Sequence, residues 1–187
     1  MTAAILILLL AGTSPPGGSV PDPCRVLTSG EVGEISGGRI AATKGTRRFA
    51  GGFEISDCFY RSEAFQDSVS VEVTRRATNT TGSSSSSRSV REHWTAMFHA
   101  EPGDEDDGPR GEAEGANAHS DAKEKEVPPR PVEGVGDEAF WLSNPASGAL
   151  YVLKGDAYLR ISVGGAADEA VKQRRATELA RKALGRL

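Results

Sequence analysis

The chain predicts an α+β fold, a mainly antiparallel sheet of about five strands with helices packed on one face. Three observations lead there. Val69, Val71 and Val73 alternate with Ser70, Glu72 and Thr74, and Leu159, Ile161 and Val163 alternate with Tyr158, Arg160 and Ser162, which is the period of two of a strand with one buried and one wetter face. Between these segments Val90, Trp94, Met97 and Phe98 recur at the spacing of a helix. Two Ser/Thr-x-x-Glu pairs, Thr28 with Glu31 and Ser89 with Glu92, mark helix starts. At 187 residues, 37% hydrophobic and 26% charged, the chain is long enough for one domain with one core.

Ala3 to Ala11 is an uncharged apolar run, followed by the small residues Gly12, Thr13 and Ser14 and then by Pro15 and Pro16. This is the pattern of a secretory signal peptide over 1–14, with a linker over 15–23, although no Lys or Arg precedes the apolar run. Nine apolar residues are too few to span a bilayer, so no stable transmembrane anchor is expected. Leu9 to Thr13 resembles a bacterial lipobox with Thr13 in the place of the lipid-bearing cysteine. Without that thiol no lipid anchor forms there. The expected location is secreted, periplasmic or extracellular.

The chain has two cysteines, Cys24 and Cys58, and an even count in an exported chain favours a disulfide. Closing a loop of about 35 residues contributes on the order of 3 to 4 kcal/mol through the entropy of the unfolded chain. A thiol nucleophile would need a histidine partner pattern, which the sequence lacks.

Cys24 leads into a short helix whose capping box is Thr28 and Glu31, with Leu27 placed to staple onto Val32 and with Gly37 and Gly38 as the stop. Arg39 to Gly52 is basic and glycine-rich, and reads as a solvated surface. Phe53 to Arg61 and Ser68 to Arg76 are strands, paired through the turn at Ser62 to Asp67. Asn79 to Ser87 is a Thr/Gly/Ser linker that opens on a glycosylation sequon. A helix over 90–100 then buries Trp94 against the sheet.

Glu101 to Glu126 holds ten acidic and three basic residues, a net of −7 in a chain of net −4. It has no aromatic and no β-branched residue, so 101–131 reads as an acidic disordered insertion closed by the Pro128, Pro129 and Pro131 spacer. The insertion separates an N-terminal half, 24–100, from a C-terminal half, 132–187, of the same domain. The second half opens on Gly134-Val-Gly136-Asp-Glu-Ala139, continues through Phe140 to Leu142 as a strand, and closes Leu150 to Leu153 onto 158–163 as a hairpin through Lys154, Gly155 and Asp156. In the last helix, which Asp168 can cap, Ala176, Leu179, Ala180, Ala183, Leu184 and Leu187 form the apolar face.

Gly134 to Ala139 matches the G-x-G-x-x-A dinucleotide fingerprint in letters only. A proline-rich spacer precedes it and Phe140-Trp141-Leu142 follows, where a strand and a helix N-terminus are required. No cofactor is expected. His93 and His99 lie six apart on a helix and point about 240° from one another, so no metal site is expected either. No zincin, P-loop or nucleophile-elbow motif occurs, and no catalytic residue is assigned. The basic face of the last helix reads as solvated, without a nucleic-acid role.

Cys24-x-x-Leu27-x-x-x-Glu31 at a helix entry, a second cysteine followed by Tyr60, the Val132 to Ala139 turn and the closing Ala/Leu helix together resemble the small extracytoplasmic domains of unknown function in secreted proteins and lipoproteins of high-GC bacteria. Some of these resemble the Mog1/PsbP fold, which implies an antiparallel sheet with helices against it and no catalytic residues to carry over. The expectation for function is an exported, non-enzymatic binding or accessory domain in the cell envelope, its partner an unknown protein. One alternative is a carrier of a small apolar ligand, with Trp94, Phe140, Trp141, Tyr151 and Tyr158 lining a cavity between helix and sheet. Another is capture of a surface protein by the acidic insertion.

Overall fold

The computed structural model describes residues 22–77, 88–100, 127–143 and 148–187. The proposed signal peptide, most of the linker, the sequon and 101–126 lie outside them. In chain order the elements are α1 (Pro23–Val26), α2 (Ser29–Ser36), β1 (Ile40–Ala50), β2 (Phe53–Ser62), a 3-10 turn (Phe65–Asp67), β3 (Val69–Arg76), α3 (Val90–Phe98), β4 (Arg130–Pro131), β5 (Glu138–Ser143), β6 (Gly148–Lys154), β7 (Ala157–Val163) and α4 (Glu169–Leu184). The strands form one sheet in the order β1-β2-β3-β7-β6-β5-β4, and every neighbouring pair is antiparallel. Each half contributes a meander, and the seam between the two halves is the ladder of β3 on β7, from Val69 opposite Val163 to Arg75 opposite Ala157.

The sheet has seven strands where the sequence predicts about five. The larger addition is β1, which occupies the basic, glycine-rich stretch read as surface. Its side chains are indeed exposed from Ala41 onward, so the alternation that betrays a buried strand is absent. What makes it a strand is its backbone ladder with β2 and the tight Gly51-Gly52 connection. The smaller addition is β4, two residues that the sequence reading assigned to the insertion; Pro131 opposite Phe140 ends that edge of the sheet. Similarly, Asp22 and Pro23 are not linker: the Asp22 carboxylate accepts from the Cys24 amide, and Pro23 starts α1.

One face of the sheet carries the main core. Cys58, Tyr60, Val69, Val71, Val73, Ala139, Trp141, Leu150, Val152, Leu159, Ile161 and Val163 point into it, and Val26, Leu27, Val32, Ala176, Leu179, Ala180 and Ala183 of α1, α2, α4 and their joins cover it. The small alanines of α4 let that helix approach β6 and β7 closely. Cys24 and Cys58 are bonded, with Cα atoms 5.1 Å apart, which fixes α1 to β2. Beside the bridge the buried Tyr60 hydroxyl donates towards the carbonyls of Pro23 (3.2 Å) and Leu27 (2.9 Å). Burial, reinforced by Asp22 and Glu31, pushes that hydroxyl's pKa up to about 12.

Both capping boxes form as the spacing requires: Thr28 and Glu31 exchange bonds at the start of α2, and Ser89 and Glu92 do so at the start of α3. Asp168 stands at the N-cap of α4 without a side-chain bond. Glu31 does a second job. Its two carboxylate oxygens accept from both guanidinium nitrogens of Arg186, at 2.6 and 2.8 Å, while Arg186 also donates to the Val26 carbonyl. This clamp ties the C-terminal end of the chain to the α1–α2 corner. The Arg186 bonds, followed by the Thr28 amide, hold the Glu31 carboxyl well below the ordinary carboxylate range.

A depressed carboxyl stabilises the fold above its unfolded-state pKa, and that stability is lost as pH falls through the folded-state value. Glu31→Gln is therefore expected to lower the melting temperature at pH 7 and to flatten its fall between about pH 5 and pH 2. A melting curve against pH with the same slope in both proteins would refute this role.

Candidate functional site

The helices do not all pack on one face. α3 lies on the other side of the sheet from α1, α2 and α4, over Phe53, Leu153 and Tyr158. The reason is register: the face that carries Glu72 and Arg160 in its middle becomes apolar at one end, and the stripe of Val90, Trp94 and Phe98 seats there. Trp94 is 1% exposed, and its indole N–H donates to the Glu138 carboxylate. His99 Nε2 lies 2.9 Å from the other oxygen of the same carboxylate. His93 sits between Phe53 (5.0 Å) and Tyr158 (6.0 Å), where burial, and then the charge of Arg88, depress its pKa.

Four of the five aromatic residues proposed as a cavity lining meet here. Phe140, Tyr151 and Tyr158 lie under Trp94 of α3, but Trp141 does not join them. It is wholly buried on the main-core face, and its indole N–H donates to Glu169 at the start of α4. Phe140 and Trp141 are consecutive in a strand and must face opposite ways. The four that do meet pack ring against ring around Phe98 and Trp94: Trp94 and Phe98 are 4.4 Å apart, Phe98 stacks on Phe140 at 4.7 Å and meets Tyr151 at 5.5 Å, and Trp94 lies 6.1 Å from Tyr158. They form a second small core. A concavity of about 440 Å³ lies elsewhere, between α2 and the start of β1, lined by Ser29, Gly33, Glu34, Gly38, Arg39 and Ile40.

Beyond α3 the second face is not covered by any described helix. There the cross-strand row Thr46, Asp57, Glu72, Arg160, Tyr151 and Phe140 runs from β1 to β5. Asp57, Glu72, Arg160 and Tyr151 are half-buried, and each has a partner. Ser70 donates to Asp57 at 2.7 Å, Arg48 to Glu72 at 3.1 Å, and Arg160 Nε to the Tyr151 hydroxyl at 3.0 Å. At the far end Phe59 contacts Phe65 of the 3-10 turn with ring centroids 6.0 Å apart, and Phe65 is 68% exposed. Asp57, Glu72, Arg160, Phe59 and Phe65 were not singled out from the sequence. The alternation of β3 and β7 already put Glu72 and Arg160 on the wetter face; their assembly into one row needed the strand order.

Gly134 and Gly136 both have positive φ, and the turn they make feeds β5, with no helix after it. A Cβ on Gly136 would lie 2.3 Å from Val152 Cγ1 and 2.5 Å from the Leu153 carbonyl oxygen, so close packing on β6 requires glycine. Asp137 then locks the β6–β7 hairpin by accepting from the Gly155 amide (2.8 Å) and the Lys154 ammonium (3.0 Å), which hold its carboxyl below the ordinary range. Residues that suggested a phosphate cradle thus fix a hairpin. Among the described residues, no group of three or more His, Cys, Asp or Glu is placed to hold a metal ion, and no helix is long and apolar enough to cross a membrane.

Searches against protein-family models, curated proteins and solved structures find no match to this chain.

Proposed function

We propose that the chain is an exported, non-enzymatic binding domain that holds a protein partner on the open half of its second sheet face. The observation that carries this reading is the exposed Phe65, tilted against Phe59 at the border of the Asp57, Glu72 and Arg160 row. An apolar anchor beside paired charges that are already held in place suits a polypeptide surface, because little side-chain entropy is lost when the partner docks. The charged members of the row are each engaged, Asp57 by the Ser70 hydroxyl, Glu72 by Arg48 and Arg160 by the Tyr151 hydroxyl, which supports a binding surface over a catalytic one. Export is supported by the Cys24–Cys58 bridge and by the apolar leader pattern of 3–11. The likeness to extracytoplasmic domains of high-GC bacteria agrees with both points.

The test is capture from envelope extract with three baits: the native chain, Phe65→Glu and Arg160→Glu. Proteins bound by the native chain and lost from both variants, with unchanged circular dichroism, are the expected result. A captured set indifferent to both substitutions would remove this face as the binding surface.

A further inference from the structure

We infer that β1 is a self-complementary edge through which two copies of this chain pair antiparallel about Gly45, extending both sheets into one. This goes beyond the binding face proposed above and does not depend on it.

The two edges of the sheet are unlike. β4 is two residues long and contains a proline, so it offers almost no ladder to a further strand. β1 is eleven residues long, and its side chains are exposed from Ala41 to Ala50. The hydrogen-bonding groups that no described residue engages can be assigned. Gly51 and Gly52 both have positive φ, as in a two-residue hairpin turn, so the flanking pair Ala50 and Phe53 exchange backbone bonds. In an antiparallel ladder such pairs alternate, so Arg48, Thr46 and Lys44 also bond inward to β2. The next ladder agrees, because the Ala77 amide donates to the Gly52 carbonyl, which puts the even residues of β2 towards β3. The N–H and C=O groups of Thr43, Gly45 and Arg47 therefore point out of the sheet.

Basic residues on an edge strand usually deter further pairing. Here two of the three are engaged within the chain: Arg47 lies 3.1 Å from the Glu54 carboxylate and Arg48 is 3.1 Å from Glu72. The remaining question is register. Outward groups meet only when odd residues face odd residues, which leaves a few antiparallel alignments. Centred on Gly45, the alignment sets Lys44 opposite Thr46, Arg47 opposite Thr43 and Arg48 opposite Ala42 of the second copy, and no like charges face one another. Centred on residue 44 it would set Lys44 against Lys44, and centred on residue 46 it would set Lys44 against Arg48. Gly45 is also the midpoint of Ile40–Ala50, so among the alignments that avoid repulsion it gives the greatest overlap. The paired stretch from Ala42 to Arg48 stays clear of the irregularity between Ile40 and Ala42.

The test exploits the opposition of Thr43 and Arg47, which occurs twice in a symmetric dimer. Sedimentation velocity on the 187-residue chain is expected to show a concentration-dependent dimer. Thr43→Lys should weaken it and Thr43→Glu strengthen it, with dissociation constants about tenfold or more apart. Hydrogen exchange should show the Thr43, Gly45 and Arg47 amides gaining protection as concentration rises, while Lys44 and Thr46 stay protected throughout. A monomer at all concentrations would overturn the inference, as would a dimer that responds equally to the two substitutions or one whose odd-numbered amides stay unprotected.

Discussion

Replacing Cys24 and Cys58 together by alanine is expected to lower the unfolding free energy by about 2 to 4 kcal/mol, measured by urea denaturation without reductant. The bridge spans 34 positions of sequence and joins a four-residue helix to the second strand of the sheet. A helix that short has no stability of its own. α1 stays in place because the bridge, the Tyr60 hydroxyl and the burial of Val26 and Leu27 hold it against β2. Loss of the bridge should therefore also loosen the Arg186 clamp, which uses the Val26 carbonyl as one of its acceptors. A destabilisation under about 1 kcal/mol would mean that the bridge adds little to contacts that already fix α1.

The second large effect is expected at Trp141. Its truncation to alanine removes a wholly buried indole from the main core and leaves the Glu169 carboxylate without one of its donors, at a cost of about 3 to 5 kcal/mol. Gly148 on β6, opposite Ser143 and two residues before Trp141's own partner Leu150, makes room for this ring: a Cβ there would lie 2.0 Å from Trp141 Cζ2. Gly148→Ala alone should thus destabilise through a clash, and Trp141→Leu alone through a cavity, but the double variant should lose less than the sum of the two. Additive losses in urea denaturation would show that Gly148 is needed for its backbone and not for the space above it.

Much of the domain was legible locally. Two capping boxes, two alternating strands and the Gly155 hairpin are each written in a few consecutive residues, and each appears where those residues stand; the bridge joins the two cysteines of the chain. β1 was not legible, because an edge strand with exposed side chains is held by backbone bonds to its neighbour, and its side chains carry no signal of burial. The candidate binding face was half legible. The wetter side of β3 and β7 showed in the alternation, but Phe59 and Phe65 join it only because β2 and the turn after it fold beside β3.

The sequence by itself determined the class, the helix starts and the incompatibility of Gly134 to Ala139 with a phosphate cradle, because each depends on short-range chemistry, and it pointed to the bridge because only two cysteines are present to pair. It also held one warning that composition obscured: with a period of two, Phe140 and Trp141 could not belong to the same cluster. Only the tertiary structure decided which face each helix takes, because that depends on how seven strands align their side chains across the sheet. That alignment sends α3 and four aromatic residues to one side and Trp141 with α1, α2 and α4 to the other, and among the described residues it leaves β1 as the long edge without a further strand.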